Sequence, residues 1–201
     1  RPRQNRVFPD GTIRADPTRG RFMGNRGCLH DDQGQLRRHW QVTRWITCLT
    51  AFKGRKRVLM RPGHYTELFF MDEAVATAAG HRPCAECRRA EHLAFRAAWA
   101  AAHGPVSGVD QIDRALHTAR LGPGSVAQAR DLPDGSMVLW QDRPHLVLGD
   151  GILSWSPTGY GPAQPRPETT LPVLTPAPLI EVLRAGWRPV LHPTALHNRQ
   201  A

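Results

Sequence analysis

The sequence predicts an α+β protein in two parts: a small basic N-terminal domain with a β-hairpin and helices, then a small antiparallel β-rich module. Three observations lead there. Residues 40–52 (WQVTRWITCLTAF) and 65–70 (YTELFF) are strand-like runs of β-branched and aromatic residues, joined through glycine-containing turns. Segments with helical start and stop signals follow between residues 72 and 121. Beyond Gly122-Pro123-Gly124, short apolar runs alternate with turn residues. The expected divisions are 1–104 for the N-terminal domain, 105–124 for a helix and linker, and 125–201 for the C-terminal module.

Along the chain, residues up to about Gly27 are rich in Arg, Gly, Asp and Pro with little periodicity, which predicts an arm or irregular loops. The 40–52 and 65–70 runs read as the two strands of a hairpin, although a helix also fits 42–49. Asp72 is placed to cap a short helix (MDEAVATAA), with Glu73 in its electropositive first turn and Gly80 ending it. A longer helix is expected from near Cys84 to about His103, with Ala90, Leu93, Ala94, Ala97 and Ala101 on one face and Phe95 and Trp99 on the other. Being apolar on two sides, it is expected between two layers, with the C-terminal part packed on it. A third helix, roughly 109–121, precedes the strand-like pieces MVLW, HLVL and ILSW. Turns at Pro133-Asp134-Gly135, Gln141-Asp142-Arg143 and Gly149-Asp150-Gly151 make these an antiparallel meander. The Pro-rich stretch 157–178 reads as an ordered crossing to a short helix near 179–185, and the tail GWRPVLHPTALH as irregular.

The chain has 201 residues and a formal charge of +10, from 27 Lys and Arg against 17 Asp and Glu. Residues 1–61 hold fifteen of those bases and four of the acids, so the whole excess lies in the first third. A compositional bias toward Arg would load both halves equally; the asymmetry instead points to a polyanion partner, above all nucleic acid. An apolar fraction of 40% excludes wholesale disorder. No apolar run approaches the roughly 20 residues of a membrane helix, so no membrane partner is expected. With no secretory signal legible and only four cysteines, a reducing, cytoplasmic compartment is expected, favouring thiol or metal chemistry over disulfides.

Cys84-Ala-Glu-Cys87 is the motif that carries chemistry. Two thiolates at this spacing at a helix start can grip one tetrahedral metal ion, and the free amides there help keep them deprotonated. A redox reading needs a preceding βαβ unit, which is missing. One C-x-x-C supplies half a zinc site, so Cys28 and Cys48 are the natural completion, giving Cys28, Cys48, Cys84 and Cys87 as metal ligands. His30, His64 and His92 are the possible substitutes. The N-terminal domain is thus expected to be zinc-stabilised.

The run ELFFMDEAVATAAGHRPCAECRR, residues 67–89, resembles the zinc-binding domain of the Ada family of methylphosphotriester DNA repair proteins. The two phenylalanines, the Ala-rich helix and G-x-R-P-C-x-x-C-R carry the likeness, which extends loosely back to Cys48. His81 stands where that family usually has an aromatic ring. The resemblance implies zinc held by four cysteines, contact with the DNA backbone, and in that family methyl acceptance by one zinc-bound cysteine. If Cys48 matches the first cysteine of the family's C-x-x-x-C pair, the second falls at Phe52, so Cys28 has to fill that position.

Phosphate contacts are expected from Lys53, Arg55, Lys56, Arg57, Arg88 and Arg89. His192 and His197, with Asn198, suggest either a second metal or acid–base site or a solvated tail. Trp155, Tyr160 and Trp187 suggest either a base-stacking surface or the core of a β-module. Walker, G-x-S-x-G and H-E-x-x-H motifs are absent, and no His-x-Glu precedes the C-x-x-C, which excludes the zinc deaminase pattern. The leading expectation is a zinc protein that binds nucleic acid, more readily DNA than RNA, in repair or modification. The alternatives are an enzyme acting on nucleic acid, by alkyl transfer to a zinc-bound cysteine or as a nuclease or lyase, and a zinc-stabilised protein–protein adaptor.

Overall fold

In the computed structural model, which describes residues 1–56 and 58–197, the Arg- and Gly-rich start of the chain is built into a sheet. It forms β1 (Gln4–Val7), β2 (Ile13–Ala15) and β3 (Phe22–Asn25). With β4 (Ile46–Leu49), β5 (Leu68–Phe70) and the two-residue β6 (Arg82–Pro83), they make a six-stranded sheet in the order β2-β1-β5-β3-β4-β6. The expected hairpin is therefore corrected. β4 and β5 do not pair with each other; each is antiparallel to β3, which lies between them. The sequence Phe-Met-Gly-Asn lacks alternation because Phe22, Met23 and Gly24 are all buried. Gly24 is required by close approach: a Cβ there would lie 2.1 Å from the Ile46 carbonyl oxygen.

The helix α1 (Glu73–Ala78) starts where expected, with the Asp72 carboxylate accepting from the Val75 N–H at 3.0 Å. Gly80, at φ +88°, ends it. The next helix, α2 (Arg89–His103), begins after the cysteine motif rather than at it. Its buried side is His92, Phe95, Ala98 and Trp99, whereas the predicted face of Ala90, Leu93, Ala94, Ala97 and Ala101 is exposed. Small alanines bury little area, so the aromatic side wins the core. The third helix, α3 (Val109–Leu121), matches its expected range.

A second six-stranded sheet comprises β7 (Ser125–Gln128), β8 (Met137–Trp140), β9 (Arg143–Leu148), β10 (Gly151–Ser156), β11 (Gly159–Pro165) and β12 (Thr170–Val173), in the order β11-β10-β9-β8-β12-β7. Three two-residue turns make its meander. Gln141 and Asp142 both take positive φ, as such a turn demands. The Pro-rich stretch supplies β11 and β12, and α4 (Ala177–Arg184) and α5 (Pro193–His197) complete the chain. The tail is thus not wholly irregular, since Ala195 is fully buried.

Alternation in the second sheet divides its apolar residues between two layers. Met137, Leu146, Leu148 and Leu153 join Val7, Phe22, Leu68, Phe70 and the α1 alanines in one cluster. Val138, Val147, Ile152 and Leu171 face the other way, toward Ile180 of α4. Residues Leu179, Val182 and Leu183 of that helix meet Phe95 and Trp99 of α2 and Ile112 and Leu116 of α3. The fold is mixed α and β, and the first core crosses the expected boundaries at 104 and 125. Trp155 and Tyr160 belong to this core and Trp187 to the cluster of α2, α3 and α4; all three are buried and present no stacking surface. Among the described residues no helix is long and apolar enough to cross a membrane.

Two adjacent buried carboxylates join these parts. Asp72 accepts from the Tyr160 hydroxyl at 2.8 Å and the His192 N–H at 2.9 Å as well as capping α1. Glu73 accepts from the Val190 N–H at 2.8 Å and pairs with both terminal nitrogens of Arg88. Burial raises the Asp72 carboxyl from its ordinary 3.8 to about 6, against the pull of its donors. Asp72→Ala leaves three donors without their acceptor, and a loss of about 2–4 kcal/mol is expected in urea unfolding; less than 1 contradicts this account. Because the folded value exceeds the unfolded one, the contribution of Asp72 is full below pH 4 and falls as pH rises through about 6. The stability difference between the native protein and Asp72→Asn is therefore expected to shrink over that interval.

Candidate metal centre

Cys48, Cys84 and Cys87, from two distant stretches of chain, place their sulfurs within 4.8 Å of one another. The local folding explains why. Parallel pairing of β4 with β6 sets Ile46 beside Arg82 and Thr47 beside Pro83. The Cys84 N–H then donates to the Thr47 carbonyl at 2.9 Å, which delivers the motif to Cys48 on the same strand. Residues 84–88 turn before α2 begins, closed by the Arg88 N–H on the Cys84 carbonyl at 3.2 Å. Met23 and the partly buried Ile46 and Phe69 pack round the sulfurs.

Two buried ion pairs bracket this turn. On the near side, Arg82 grips Asp113 of α3 through two hydrogen bonds of 2.7 and 2.8 Å. On the far side, Arg88 holds Glu73 and lies over the Phe22 ring at 4.8 Å. Both partners of each pair are almost wholly buried. Removing one member of such a pair strands its partner's charge, so each pins the backbone firmly. His81 is buried as well, with its Nδ1 on the Ile46 carbonyl at 3.0 Å and its Nε2 accepting from Arg26 Nε at 3.0 Å.

Backbone amides point at the sulfurs. The Glu86 N–H donates to Cys84 Sγ and the Leu49 N–H to Cys87 Sγ, each at 3.4 Å. A hydrogen bond from the Cys48 thiol, with those of the Cys87 and Glu86 amides, brings Cys84 down to about 5. The same thiol pairing, then burial, pushes Cys48 up, while burial and the neighbouring Cys84 thiolate push Cys87 up. One thiolate forms easily and the next resists, because like charges gather in a partly dry site. A bound dication relieves that repulsion, and three sulfur donors in an apolar surround, with no carboxylate among them, suit a soft-ligand metal site.

Cys28 is not in this group. Its sulfur lies 3.6 Å from the His30 carbonyl, and its N–H donates to Gln41. The proposed substitutes are also engaged elsewhere: His30 with Thr66 and the Arg61 carbonyl, His64 with Arg61, and His92 with the Pro83 carbonyl. His192 is tied to Thr194 and, among the described residues, belongs to no metal-binding group; Asn198 lies outside the described residues.

The predicted basic residues separate into two kinds. Arg88 is corrected: it is buried against Glu73 and available to no phosphate. Lys53, Arg55, Lys56 and Arg89 are exposed, and Arg55 reaches across to Glu86, inside the C-x-x-C, at 2.5 Å. That surface ion pair adds little stability but sets the basic loop beside the motif. Arg57 lies outside the described residues. Sequence reasoning missed Glu73 and Asp113 as the acids that orient the site. The available signal was an acid opening an Ala-rich helix, which served equally well as an ordinary helix-start feature.

No protein-family model, curated protein or solved structure matches the chain. The Ada-type likeness rests on the residues that carry it. If the cluster is a metal centre, Cys48→Ser, Cys84→Ser and Cys87→Ser each abolish the thiolate-to-metal absorption of the cobalt(II)-loaded protein, and Cys28→Ser keeps it. Equal loss in all four variants contradicts a three-cysteine centre.

Proposed function

We propose that Cys48, Cys84 and Cys87 hold one zinc ion and that the exposed basic loop beside them binds the backbone of nucleic acid, DNA in the first instance. The observation that carries this reading is the junction of the two features: the loop bearing Lys53, Arg55 and Lys56 is fastened by Arg55 to Glu86, between two of the metal-binding cysteines. Zinc fits the donor set, since thiolates are its common structural ligands. When bound, it supplies a cross-link between β4 and the 84–88 turn, with the loop at 50–56 leaving directly from the end of that strand. The role of the metal is thereby structural, and the residues that position its ligands are Arg82, Arg88, Asp113 and Glu73.

Support for the polyanion partner comes from the charge asymmetry and from which charges are left free. Of the bases in the first third, Arg26 is buried away from the surface loop, while Lys53 and Lys56 are exposed with no ion pair found for them among the described residues. Arg89, at the start of α2 and two residues after Cys87, is exposed as well. The Ada-type likeness over residues 48–89 is in keeping with a zinc domain of this use, with two differences. Phe52 replaces a cysteine, and the arginine directly after the motif is structural.

Binding of a short DNA duplex is expected to weaken steeply with salt. The log–log slope is expected to fall by about 2 in the Lys53→Ala, Lys56→Ala double variant, roughly 0.9 for each phosphate that is no longer neutralised. Titrations by fluorescence anisotropy at several salt concentrations measure it. No binding at low salt, or an unchanged slope, contradicts the reading.

A further inference from the structure

A second candidate site surrounds Trp45, and its chemistry is that of arginines and aromatic rings rather than thiols. Arg26 is 1% exposed, and its guanidinium carbon lies 4.1 Å from the centroid of the Trp45 ring; that of Arg120, from the last turn of α3, lies 4.0 Å from the same centroid. Two like charges are thus packed on one buried ring. Neither has an ion pair among the described residues, and the Nη2 of each is buried without a hydrogen-bond partner. Their other nitrogens meet neutral groups. Arg26 donates to His81 Nε2 and to the Gly11 and His39 carbonyls, and Arg120 to the Gly80 and Thr43 carbonyls and to His117 Nδ1, whose protonation burial and Arg120 itself disfavour.

The neighbouring ionisable groups do not compensate these charges. Burial and Arg26 hold His81 neutral, and its Nε2 is already the acceptor for Arg26. Asp113 lies within reach of the Arg120 field but is gripped by Arg82. Asp10 is held by Thr12 and Arg14. Burial brings both arginines down to about 9, with mutual repulsion adding to the effect on Arg26. The fold even reserves room for this arrangement. A Cβ on Gly80 would lie 2.7 Å from Arg120 Nε, so the helix-ending glycine also admits the arginine.

Both arginines line a cavity of about 650 Å³ whose wall also includes Trp40, Leu121, Pro123 and Thr175. That volume suits a small organic ligand and is far larger than a bare ion needs. Trp40, 38% exposed, offers a ring on the same wall. We infer that this cavity binds a phosphate monoester, the dianion facing Arg26 and Arg120 and its organic body lying against the Trp40 side. A monoester carries about two negative charges at neutral pH, which matches two guanidinium groups, whereas a single carboxylate matches one. Guanidinium is also the cation that pairs with phosphate through more than one hydrogen bond. The source is either a free nucleotide or the terminal phosphate of a nucleic-acid strand, which share this chemistry. The inference goes beyond the metal reading and does not rest on it.

Calorimetry with the full chain tests it, using inorganic phosphate, a nucleoside 5′-monophosphate, the same nucleoside without phosphate, citrate, and a short single strand with and without a 5′-phosphate. The monophosphate is expected to bind at least tenfold more tightly than the nucleoside, and Arg120→Gln to weaken it at least tenfold. Trp40→Ala, a partly exposed position that leaves the fold intact, is expected to weaken the monophosphate but not inorganic phosphate. The Lys53→Ala, Lys56→Ala variant is expected to keep full monophosphate affinity, which separates this site from the basic loop. A tenfold preference for the 5′-phosphorylated strand assigns the site to strand ends, and equal binding of the two strands assigns it to free nucleotides. Equal binding of nucleoside and monophosphate, tighter binding of citrate, no binding of any phosphate, or unchanged affinity in both Arg120→Gln and Trp40→Ala overturns the inference.

Discussion

The buried carboxylates of Asp72 and Glu73 stand at the one point through which the whole molecule is tied. They are neighbours in sequence at the start of α1, yet their partners range from Arg88 to the far C-terminal part of the chain. Asp72 holds Tyr160 and His192 from the C-terminal part, and Glu73 holds Val190 together with Arg88, the residue directly after the cysteine motif. Buried charges survive only when their partners are in place. The docking of the second sheet, the start of α1 and the position of the C-x-x-C turn therefore form one coupled arrangement. This explains how a motif of four residues can be held rigid without lying inside a helix.

From that joint outward, the polar interior follows one logic around the cysteines and another around Trp45. Around the cysteines every buried arginine has an acid: Arg82 has Asp113, and Arg88 has Glu73. Around Trp45, Arg26 and Arg120 meet carbonyls, the His81 and His117 rings and an aromatic face, and no acid pairs with either among the described residues. The first arrangement fixes a backbone. The second keeps two charges poised beside a cavity, and a site that stores uncompensated charge is characteristic of a place where a ligand completes the set.

Legibility in the sequence followed how local each determinant is. The Asp72 cap, the range of α3 and the hairpin turns at Gln141-Asp142 and Gly149-Asp150 depend on residues a few positions apart, and these were readable. The strands β1 to β3 were not, because short runs such as Gln-Asn-Arg-Val acquire their conformation from neighbours distant in sequence. Among the site residues, the C-x-x-C and its meeting with Cys48 were legible from thiol chemistry. The fate of Arg88 was not, since an arginine beside a metal motif reads as a phosphate contact until a carboxylate fifteen positions upstream is seen to hold it. Cys28 was drawn in by counting to four ligands, whereas the β4–β6 pairing brings together three.

The central claim is that these three sulfurs, and not four, hold the metal. X-ray absorption spectroscopy at the zinc edge of the metal-loaded full chain tests it most directly. The account predicts three sulfur scatterers at about 2.3 Å with one lighter oxygen or nitrogen neighbour. A shell of four sulfurs, or one without sulfur, contradicts it.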